Sequence, residues 1–338
     1  MKAFCFQWHL SDRCNLRCQH CYQEDFTPRS ERSLAELREM GRRILSAMAD
    51  REVSINLTGG EPLLYPKLFD LIEFLQGFDN LREIHLITNG MVASDAVMDN
   101  LRRYPKIRCL KVSVESGDGE VNDRIRGQGN LEKVGQNVRT FRERSGKEIV
   151  LMTTLGQYNL DSIPCTVEFA QDLRVAGIIF ERFVPLGQGQ AIGGEALDAA
   201  GWQRAVQEIT RVAELDVDPQ DLLPFRAFWL WLDGRIEDRL QGALCNLGDE
   251  SMALMPDATV YPCRRLPVPV GNLLEEPFEA ILPRLASWSV PSLQRRLRGE
   301  LCGMCGVEAC AWCRAMAFSR TGDPWADDPQ CGLSLERP

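Results

Sequence analysis

Three cysteines near the start of the chain have a spacing suited to an iron–sulfur cluster. Cys14, Cys18 and Cys21 are separated by three residues and then by two. Three thiolates can hold three irons of a [4Fe–4S] cube and leave the fourth iron open to another ligand. A structural zinc site needs four protein ligands, and nothing near these cysteines supplies the fourth. The spacing therefore favours a reactive cluster over a zinc or redox loop.

Two further segments place polar groups directly after predicted strands. Gly59 and Gly60 let the backbone approach a ligand closely, and Glu61 adds an acceptor for an ammonium group. Ser113 and Glu115 alternate onto one face of a strand and can accept hydrogen bonds from ribose hydroxyls. Alone, each segment is typical of an ordinary turn or strand end, and their combination is what indicates a site.

Two other groups complete the predicted pocket. Arg126 carries a guanidinium group suited to bidentate binding of a carboxylate. The Thr88-Asn89-Gly90 turn is expected to shape the pocket floor and to take no part in the chemistry.

A second set of cysteines lies in the last hundred residues. It contains two CxxC pairs and three more cysteines: Cys245, Cys263, Cys302, Cys305, Cys310, Cys313 and Cys331. A zinc ribbon would use four of these and leave three without a role. Three isolated cysteines, Cys5, Cys109 and Cys165, are predicted to be ordinary buried packing residues.

The elements that must position these groups alternate between strand and helix over the first 185 residues. Predicted strands are Phe4–Leu10, Val53–Leu57, Glu83–Thr88, Cys109–Val114, Ile149–Leu155 and Ile178–Val184. Predicted helices are Leu34–Ala49, Lys67–Gln76, Ala93–Arg103, Leu131–Arg144 and Asp161–Ala176. Six β–α units predict a parallel sheet with right-handed crossovers, too few for a closed eight-stranded barrel. Working residues are then expected at the carboxyl ends of the strands.

Three domains are expected along the chain. A glycine-rich loop over 187–194 marks a boundary, so residues 1–190 are assigned to the partial barrel. Residues 191–244 are expected to form a helical bridging region, with apolar residues at helical spacing such as Trp202, Val206 and Ile209. Residues 245–338 form the cysteine-rich domain.

Composition and charge narrow the possible partners. The formal net charge is -9 and no basic stripe is present, which argues against nucleic acid or an anionic membrane. No run of eighteen apolar residues occurs, and the chain starts with a strand-like segment and no signal peptide. We therefore expect a cytoplasmic protein whose thirteen cysteines are reduced.

The combined motifs resemble the radical S-adenosylmethionine (radical SAM) superfamily over residues 4–185. The resemblance implies a partial (β/α)6 TIM-like barrel in which SAM binds the open iron and is cleaved to a 5′-deoxyadenosyl radical that takes a substrate hydrogen. By family position, His20 is expected against the adenine and Arg126 at the SAM carboxylate. The Gly59–Glu61 turn is expected at the methionine amino group, and Ser113 and Glu115 at the ribose, where many relatives have Asp in place of Glu115.

The seven later cysteines resemble the SPASM extension of radical SAM enzymes, which holds two auxiliary [4Fe–4S] clusters. The resemblance implies a distal cluster on Cys302, Cys305, Cys310 and Cys331, and a proximal cluster on Cys245, Cys263 and Cys313. The sequence does not identify the fourth ligand of the proximal cluster. Asp249, Glu250 or another side chain could complete it, and an open iron facing the substrate is the interpretation we favour.

SPASM enzymes act mostly on peptides, so the leading prediction is an oxidative modification of a ribosomally made peptide. The product would be a thioether, a carbon–carbon or related cross-link, or an oxidised or cyclised Cys. The resemblance also implies a flavodoxin- or ferredoxin-type electron donor, and a leader peptide would be caught by a separate protein or by the barrel.

The sequence leaves three alternatives to a peptide-modifying enzyme. A small-molecule substrate (sugar, nucleoside or tetrapyrrole) could use the same clusters. Sulfatase maturation is less favoured, because those enzymes carry an aspartate where this chain has Arg264, and a cation cannot serve as the base. The third alternative, a non-enzymatic cluster scaffold, would not need a cluster with an open corner.

Four charged residues could contact an anionic substrate or form ion pairs within the protein: Glu181, Arg182, Arg264 and Arg265.

Overall fold

The computed structural model describes residues 3–234, 239–248, 250–305, 310 and 312–332. Strands in this part of the chain join in one open sheet, in the order β11-β10-β9-β1-β2-β3-β4-β5-β6-β7-β8. Their bounds are β1 Ala3–His9, β2 Glu52–Thr58, β3 Leu81–Thr88, β4 Ile107–Ser113, β5 Glu148–Leu155, β6 Gly177–Arg182, β7 Ala227–Trp231, β8 Leu240–Ala243, β9 Ala253–Leu254, β10 Thr259–Tyr261 and β11 Gly271–Asn272.

Six neighbouring strands, β1 to β6, run parallel in chain order. This confirms the predicted α/β fold with a partial barrel. The helices are α1 Leu34–Ala47, α2 Leu68–Leu75, α3 Asp95–Arg103, α4 Gly119–Arg126, α5 Asn130–Arg144, α6 Ile163–Asp172, α7 Ala199–Val212, α8 Pro219–Leu222, α9 Phe278–Ala286, α10 Val290–Gln294 and α11 Arg314–Thr321.

The first strand shows how the two faces of the sheet differ. Phe4, Phe6 and Trp8 are at most 1% exposed and belong to the main apolar core. The alternate residues Cys5 and Gln7 line a cleft instead, because successive strand residues point to opposite faces. The strand thus separates an apolar packing face from a polar interior where ligands can bind.

The region after α7 differs from the prediction. We expected residues 191–244 to be helical, and α7 is a helix in which Trp202, Val206 and Ile209 are fully buried. Residues 227–231 and 240–243 instead form the antiparallel strands β7 and β8 beside β6. The run from Phe228 to Trp231 is rich in aromatic residues, which favour strands. The three domain boundaries stay predictions.

The cysteine-rich region continues the sheet on its other side. β9 pairs with β1 in parallel, and β10 and β11 follow as antiparallel strands. Arg182 at the end of β6 forms a buried ion pair of 3.3 Å with Asp328, and its guanidinium lies 4.1 Å from the ring centre of Trp202. The ion pair joins the cysteine-rich region to the barrel, and the Trp202 contact joins α7 to the same arginine. Among the helices described, none has the length and apolar character needed to cross a bilayer.

Candidate active site and cluster-binding clefts

A cleft of about 910 Å³, measured to its open mouth, lies at the carboxyl ends of the parallel strands. Cys14, Cys18 and Cys21 line it together, because the loop that carries them follows β1 directly. The structure therefore brings the three predicted cluster ligands to one cleft.

Hydrogen-bond donors surround the three sulfurs. The backbone N–H of Leu16 lies 3.4 Å from Cys14 Sγ, and that of Gln23 lies 3.5 Å from Cys21 Sγ. Arg126 Nη1 lies 3.8 Å from Cys18 Sγ. Such donors orient metal-bound thiolates and tune the potential of a cluster.

The donor set fits a [4Fe–4S] cluster. All thirteen cysteines are free thiols, and burial raises the pKa of Cys18 to about 11, so binding iron would release its proton. In the described part of the chain no three His, Cys, Asp or Glu side chains converge on one metal-ion position. A cubane places its ligands on different irons, so its cysteines need not converge on one point.

The paired glycines are required by the cysteine loop itself. A Cβ on Gly60 would lie 2.2 Å from the carbonyl oxygen of Arg13, and one on Gly59 would lie 2.4 Å from that of Ser11. Gly60 N–H donates to Ser11 O at 2.7 Å, and Glu61 N–H donates to Arg13 O at 2.8 Å. Gly59 and Gly60 also line the cleft, so this turn both supports the cysteine loop and faces a ligand.

Glu61 points into the protein and does not line the cleft. Its carboxylate accepts hydrogen bonds from Thr88 Oγ1 at 2.7 Å and from the N–H groups of Asn89 at 2.7 Å and Leu63 at 3.0 Å. Burial raises its pKa to about 7, against the effect of these donors. The side chain thus fixes the β2 turn to the β3 turn, and the amino-group contact predicted for Gly59–Glu61 rests on the glycine backbone.

Glu115 is also fully buried and organises two predicted site residues. Its Oε1 accepts from His20 Nε2 at 2.9 Å and Arg126 Nε at 3.0 Å, and its Oε2 accepts from Thr154 N–H at 2.7 Å. Burial alone would raise the pKa of Glu115, but His20 and Arg126 outweigh it and hold the value at about 2. Glu115 lies past the end of β4 and outside the cleft lining, whereas Ser113 lines the cleft.

His20 lies between this carboxylate and an aromatic wall. Its ring centre is 6.4 Å from that of Tyr158 and 6.5 Å from that of Phe183. Its Nδ1 is buried and has no hydrogen-bond partner among the described residues. Aromatic side chains beside an unpaired ring nitrogen fit an adenine ring, which is the contact predicted for His20.

A second cleft of about 810 Å³ contains the predicted proximal ligands. Cys245, Cys263 and Cys313 all line it. Burial raises the pKa of Cys245 to about 11, and the nearby Cys313 and Cys263 sulfurs add to this shift. The structure thus brings together the three cysteines that the resemblance groups around one cluster. Glu250 is exposed and outside this cleft, and Asp249 lies outside the described residues.

The predicted distal ligands form a separate group. Cys302, Cys310 and Cys331 pack together with Trp312. Burial raises the pKa of Cys310 to about 12, and Cys305 is among the neighbouring sulfurs that contribute. Arg314 Nη2 and the N–H of Asp328 both donate to Cys302 Sγ at 3.5 Å. This geometry fits a second auxiliary cluster, the distal one, with four cysteine ligands.

Three charged residues line both the first and the second cleft. Glu181 lies 3.6 Å from Arg264 Nη2 and 3.7 Å from Arg265 Nη2. Burial would raise the pKa of Glu181, but the two arginines, Arg265 above all, lower it. Arg264 also stacks 4.7 Å from the ring centre of Tyr22. The two clefts therefore meet at a shared charged wall.

Two residues of the first cleft make contacts that the sequence did not predict. Asn89 donates to Asn15 Oδ1 at 2.8 Å and lies 3.7 Å from Cys14 Sγ, so the β3 turn does more than shape the floor. The ring of Tyr22 contacts the Arg264 guanidinium. Position directly after a parallel strand was a signal for Asn89, whereas no signal in the sequence pairs Tyr22 with a residue 242 positions away.

Comparison with known families agrees with this architecture. Residues 8–170 match the Radical SAM superfamily. Residues 245–306 match SPASM, an iron-sulfur cluster-binding domain. The second match begins at Cys245, the first cysteine of the C-terminal set.

Individual relatives span most of the chain. An AdoMet-dependent heme synthase from Methanosarcina barkeri is 26% identical, over 96% of this chain and 95% of its own length. The subtilosin biosynthesis protein AlbA of Bacillus subtilis is 22% identical, over 81% of this chain and 58% of its own. The solved structure of anSMEcpe with bound AdoMet has a TM-score of 0.75 at 16% identity, covering 99% of this chain and 95% of that one.

Proposed function

We propose that this chain, a radical SAM enzyme with a SPASM domain, removes a hydrogen from a ribosomally made peptide and completes an oxidative modification of it. The observation that carries the proposal is the shared wall of the two clefts. Glu181, Arg264 and Arg265 line both the cleft of Cys14, Cys18 and Cys21 and the cleft of Cys245, Cys263 and Cys313. A substrate at this wall lies between two redox centres.

The residues of the first cleft have separate tasks in this proposal. When bound, the cluster and SAM supply a 5′-deoxyadenosyl radical for hydrogen abstraction. Cys14, Cys18 and Cys21 would hold the cluster. His20 and the Tyr158–Phe183 wall would orient the adenine, with His20 itself fixed by Glu115. Ser113 remains the group placed to meet the ribose.

Arg126 is the proposed partner of the SAM carboxylate. Its Nε and Nη2 both donate to Glu115 Oε1, while Nη1 lies 3.8 Å from Cys18 Sγ and the side chain lines the cleft. A guanidinium can bind a carboxylate and remain paired on its other edge, because it carries five N–H donors. Glu115 thereby holds Arg126 in the orientation that such a contact needs.

The second cleft supports the oxidative character of the reaction. After hydrogen abstraction a substrate radical still has one electron to lose, and a nearby oxidised cluster can take it. The arginines at the wall would attract an anionic part of the substrate, since only Glu181 of the three wall residues is acidic. We further infer a flavodoxin- or ferredoxin-type donor for the first cluster and a cytoplasmic location, where thiols stay reduced.

A small-molecule substrate is the second candidate, and two observations favour it. Relatives of nearly full length include the heme synthase described above, and a tetrapyrrole with carboxylate side chains would suit the arginines of the wall. Peptide chemistry is supported by the AlbA relative and by the SPASM match.

Deuterium transfer distinguishes the two candidates. Reconstituted, reduced enzyme with SAM is incubated with candidate peptides carrying deuterated side chains, or with deuterated tetrapyrroles. The peptide proposal predicts deuterium in 5′-deoxyadenosine and the loss from the peptide of that deuterium together with one further hydrogen. Deuterium transfer from tetrapyrroles alone would overturn it. The Cys263→Ala variant is the matched control, because it should still cleave SAM but should not complete the oxidation.

A further inference from the structure

The second cleft is lined by four cysteines, although only three were predicted to bind its cluster. Cys5, from the first barrel strand, lines the cleft with Cys245, Cys263 and Cys313. Its position on β1 led to its interpretation as a packing residue, yet it lies on the polar face of that strand. A [4Fe–4S] cluster takes four ligands, so the number of cysteines in the cleft matches the need of one cluster.

The register of the sheet places Cys5 beside the segment that leads into β9. Gln7 pairs with Ala253 in parallel, and Ala253 pairs with Tyr261 in antiparallel. The N–H of Cys5 donates to Glu250 O at 2.8 Å, which continues the first ladder and sets Cys5 opposite Ser251.

The second ladder ends at Tyr261, opposite Ala253, and Cys263 follows two residues later in a bridge to Leu266. Cys263 therefore lies just past the end of β10, and it lines the second cleft together with Cys5.

The residue opposite Cys5 connects it to the segment that carries Cys245. Ser251 is small, and its hydroxyl donates to Asn246 O at 2.9 Å. Asn246 follows Cys245 directly, and Ser251 lines the same cleft as Cys5 and Cys245.

Cys5 has a donor of the kind that serves a ligand cysteine. Asn56 Nδ2 donates to Cys5 Sγ at 3.2 Å, and Asn56 Oδ1 accepts from Lys111 Nζ at 2.8 Å. Asn56 and Lys111 are 6% and 9% exposed, so this chain of polar groups is buried. Its arrangement repeats that of Asn89 at Cys14 in the first cleft. An amide held in one orientation by a lysine would fix the direction of a metal-bound sulfur.

We propose that Cys5 is the fourth ligand of the proximal auxiliary cluster. The proposal rests on the assignment of Cys245, Cys263 and Cys313 to that cluster and deepens the proposed function. It replaces the open iron that the sequence favoured, so the proximal cluster would accept electrons without binding substrate through iron. Glu250, the other described candidate, is exposed and outside the cleft.

The test uses the full chain with Cys14, Cys18 and Cys21 all changed to Ala, so that all iron belongs to the auxiliary clusters. Iron content and cyanide binding in this triple variant require neither SAM cleavage nor a substrate. A negative result would therefore overturn the assignment of Cys5 without bearing on the proposed function. Iron is counted, and pulsed EPR of the reduced protein detects binding of ¹³C-cyanide to an open iron. Cys5→Ala is compared with Cys165→Ala, which removes a thiol outside both clefts.

The proposal predicts no ¹³C coupling in the parent protein or in Cys165→Ala. Cys5→Ala should either show coupling with iron retained or lose about four irons. Coupling in the parent that Cys5→Ala leaves unchanged would overturn the proposal, as would eight irons with no coupling in Cys5→Ala.

A second measurement avoids the loss of a ligand. Cys5 is replaced by selenocysteine in the same background, and selenium K-edge absorption is recorded on the iron-loaded protein. Iron in the first shell of selenium supports ligation by residue 5. A spectrum without that shell, at full iron content, overturns it.

Discussion

The Gly60→Ala substitution should remove the first cluster and leave the two auxiliary clusters in place. The new Cβ would lie 2.2 Å from Arg13 O, 2.5 Å from Arg13 C and 2.6 Å from Asp12 O. All three atoms belong to the backbone, so no side-chain rotation can relieve the overlap.

The energy of this change follows from the contacts of the turn. Overpacking of this kind costs roughly 1–3 kcal/mol. Moving the cysteine loop away also breaks the hydrogen bonds from Gly60 to Ser11 and from Glu61 to Arg13, at about 1 kcal/mol each. The combined local cost is roughly 3–5 kcal/mol, enough to displace the loop that holds Cys14.

The assay is an iron count on the reconstituted protein together with 5′-deoxyadenosine release. Wild type should hold about twelve irons and Gly60→Ala about eight, with no 5′-deoxyadenosine above background. Gly119→Ala is the matched control, because a Cβ on this residue of α4 meets nothing within 4 Å. Twelve irons and normal SAM cleavage in Gly60→Ala would refute the role given to the glycine turn.

Three further substitutions test other contacts. Glu115→Gln leaves Arg126 buried without its carboxylate and should lower the unfolding free energy by roughly 3–5 kcal/mol in urea titrations at pH 7. The folded-state pKa of Glu115, at about 2, is below that of an unfolded glutamate at about 4.3. Its contribution is therefore complete above the unfolded value and lost as pH falls toward 2, and the variant should show a flatter acid dependence. Asn89→Ala removes a donor near Cys14 and should lower the midpoint potential of the first cluster in EPR-monitored titrations. Arg264→Ala should raise KM for the anionic substrate more than it lowers kcat.

The first two of these substitutions have controls on the exposed surface. Glu208→Gln breaks an exposed pair with Arg211 and should change stability by less than about 1 kcal/mol. Asn100→Ala removes an exposed amide on α3 and should leave the potential unchanged. Equal effects in test and control variants would contradict the assigned contacts.

The parallel barrel followed from the sequence because each of its strands and helices carries its own periodic pattern. The antiparallel strands β7 and β8 did not, since aromatic residues such as Phe228 and Trp231 fit either a strand or a buried helix face. The strand form of β7 depends on pairing with β6, which local patterns do not encode.

The sequence was sufficient to predict which residues belong to the candidate site. It was not sufficient to predict the direction of every side chain. Cys14, Gly59 and Ser113 line the cleft as expected. Glu61 and Glu115 turn inward, because each lies past the end of its strand, where turn geometry replaces strict alternation. The position of Cys5 beside the C-terminal cysteines depends on register between strands far apart in the chain, and no local motif reports that.

Cleavage of SAM by the reduced, reconstituted protein tests the central claim most directly. The structure gathers Cys14, Cys18 and Cys21 in one cleft with the groups proposed to hold SAM. The account predicts equal amounts of 5′-deoxyadenosine and methionine from wild type, and neither from a variant with these three cysteines changed to Ala. A fully iron-loaded wild-type protein that releases no 5′-deoxyadenosine would contradict it.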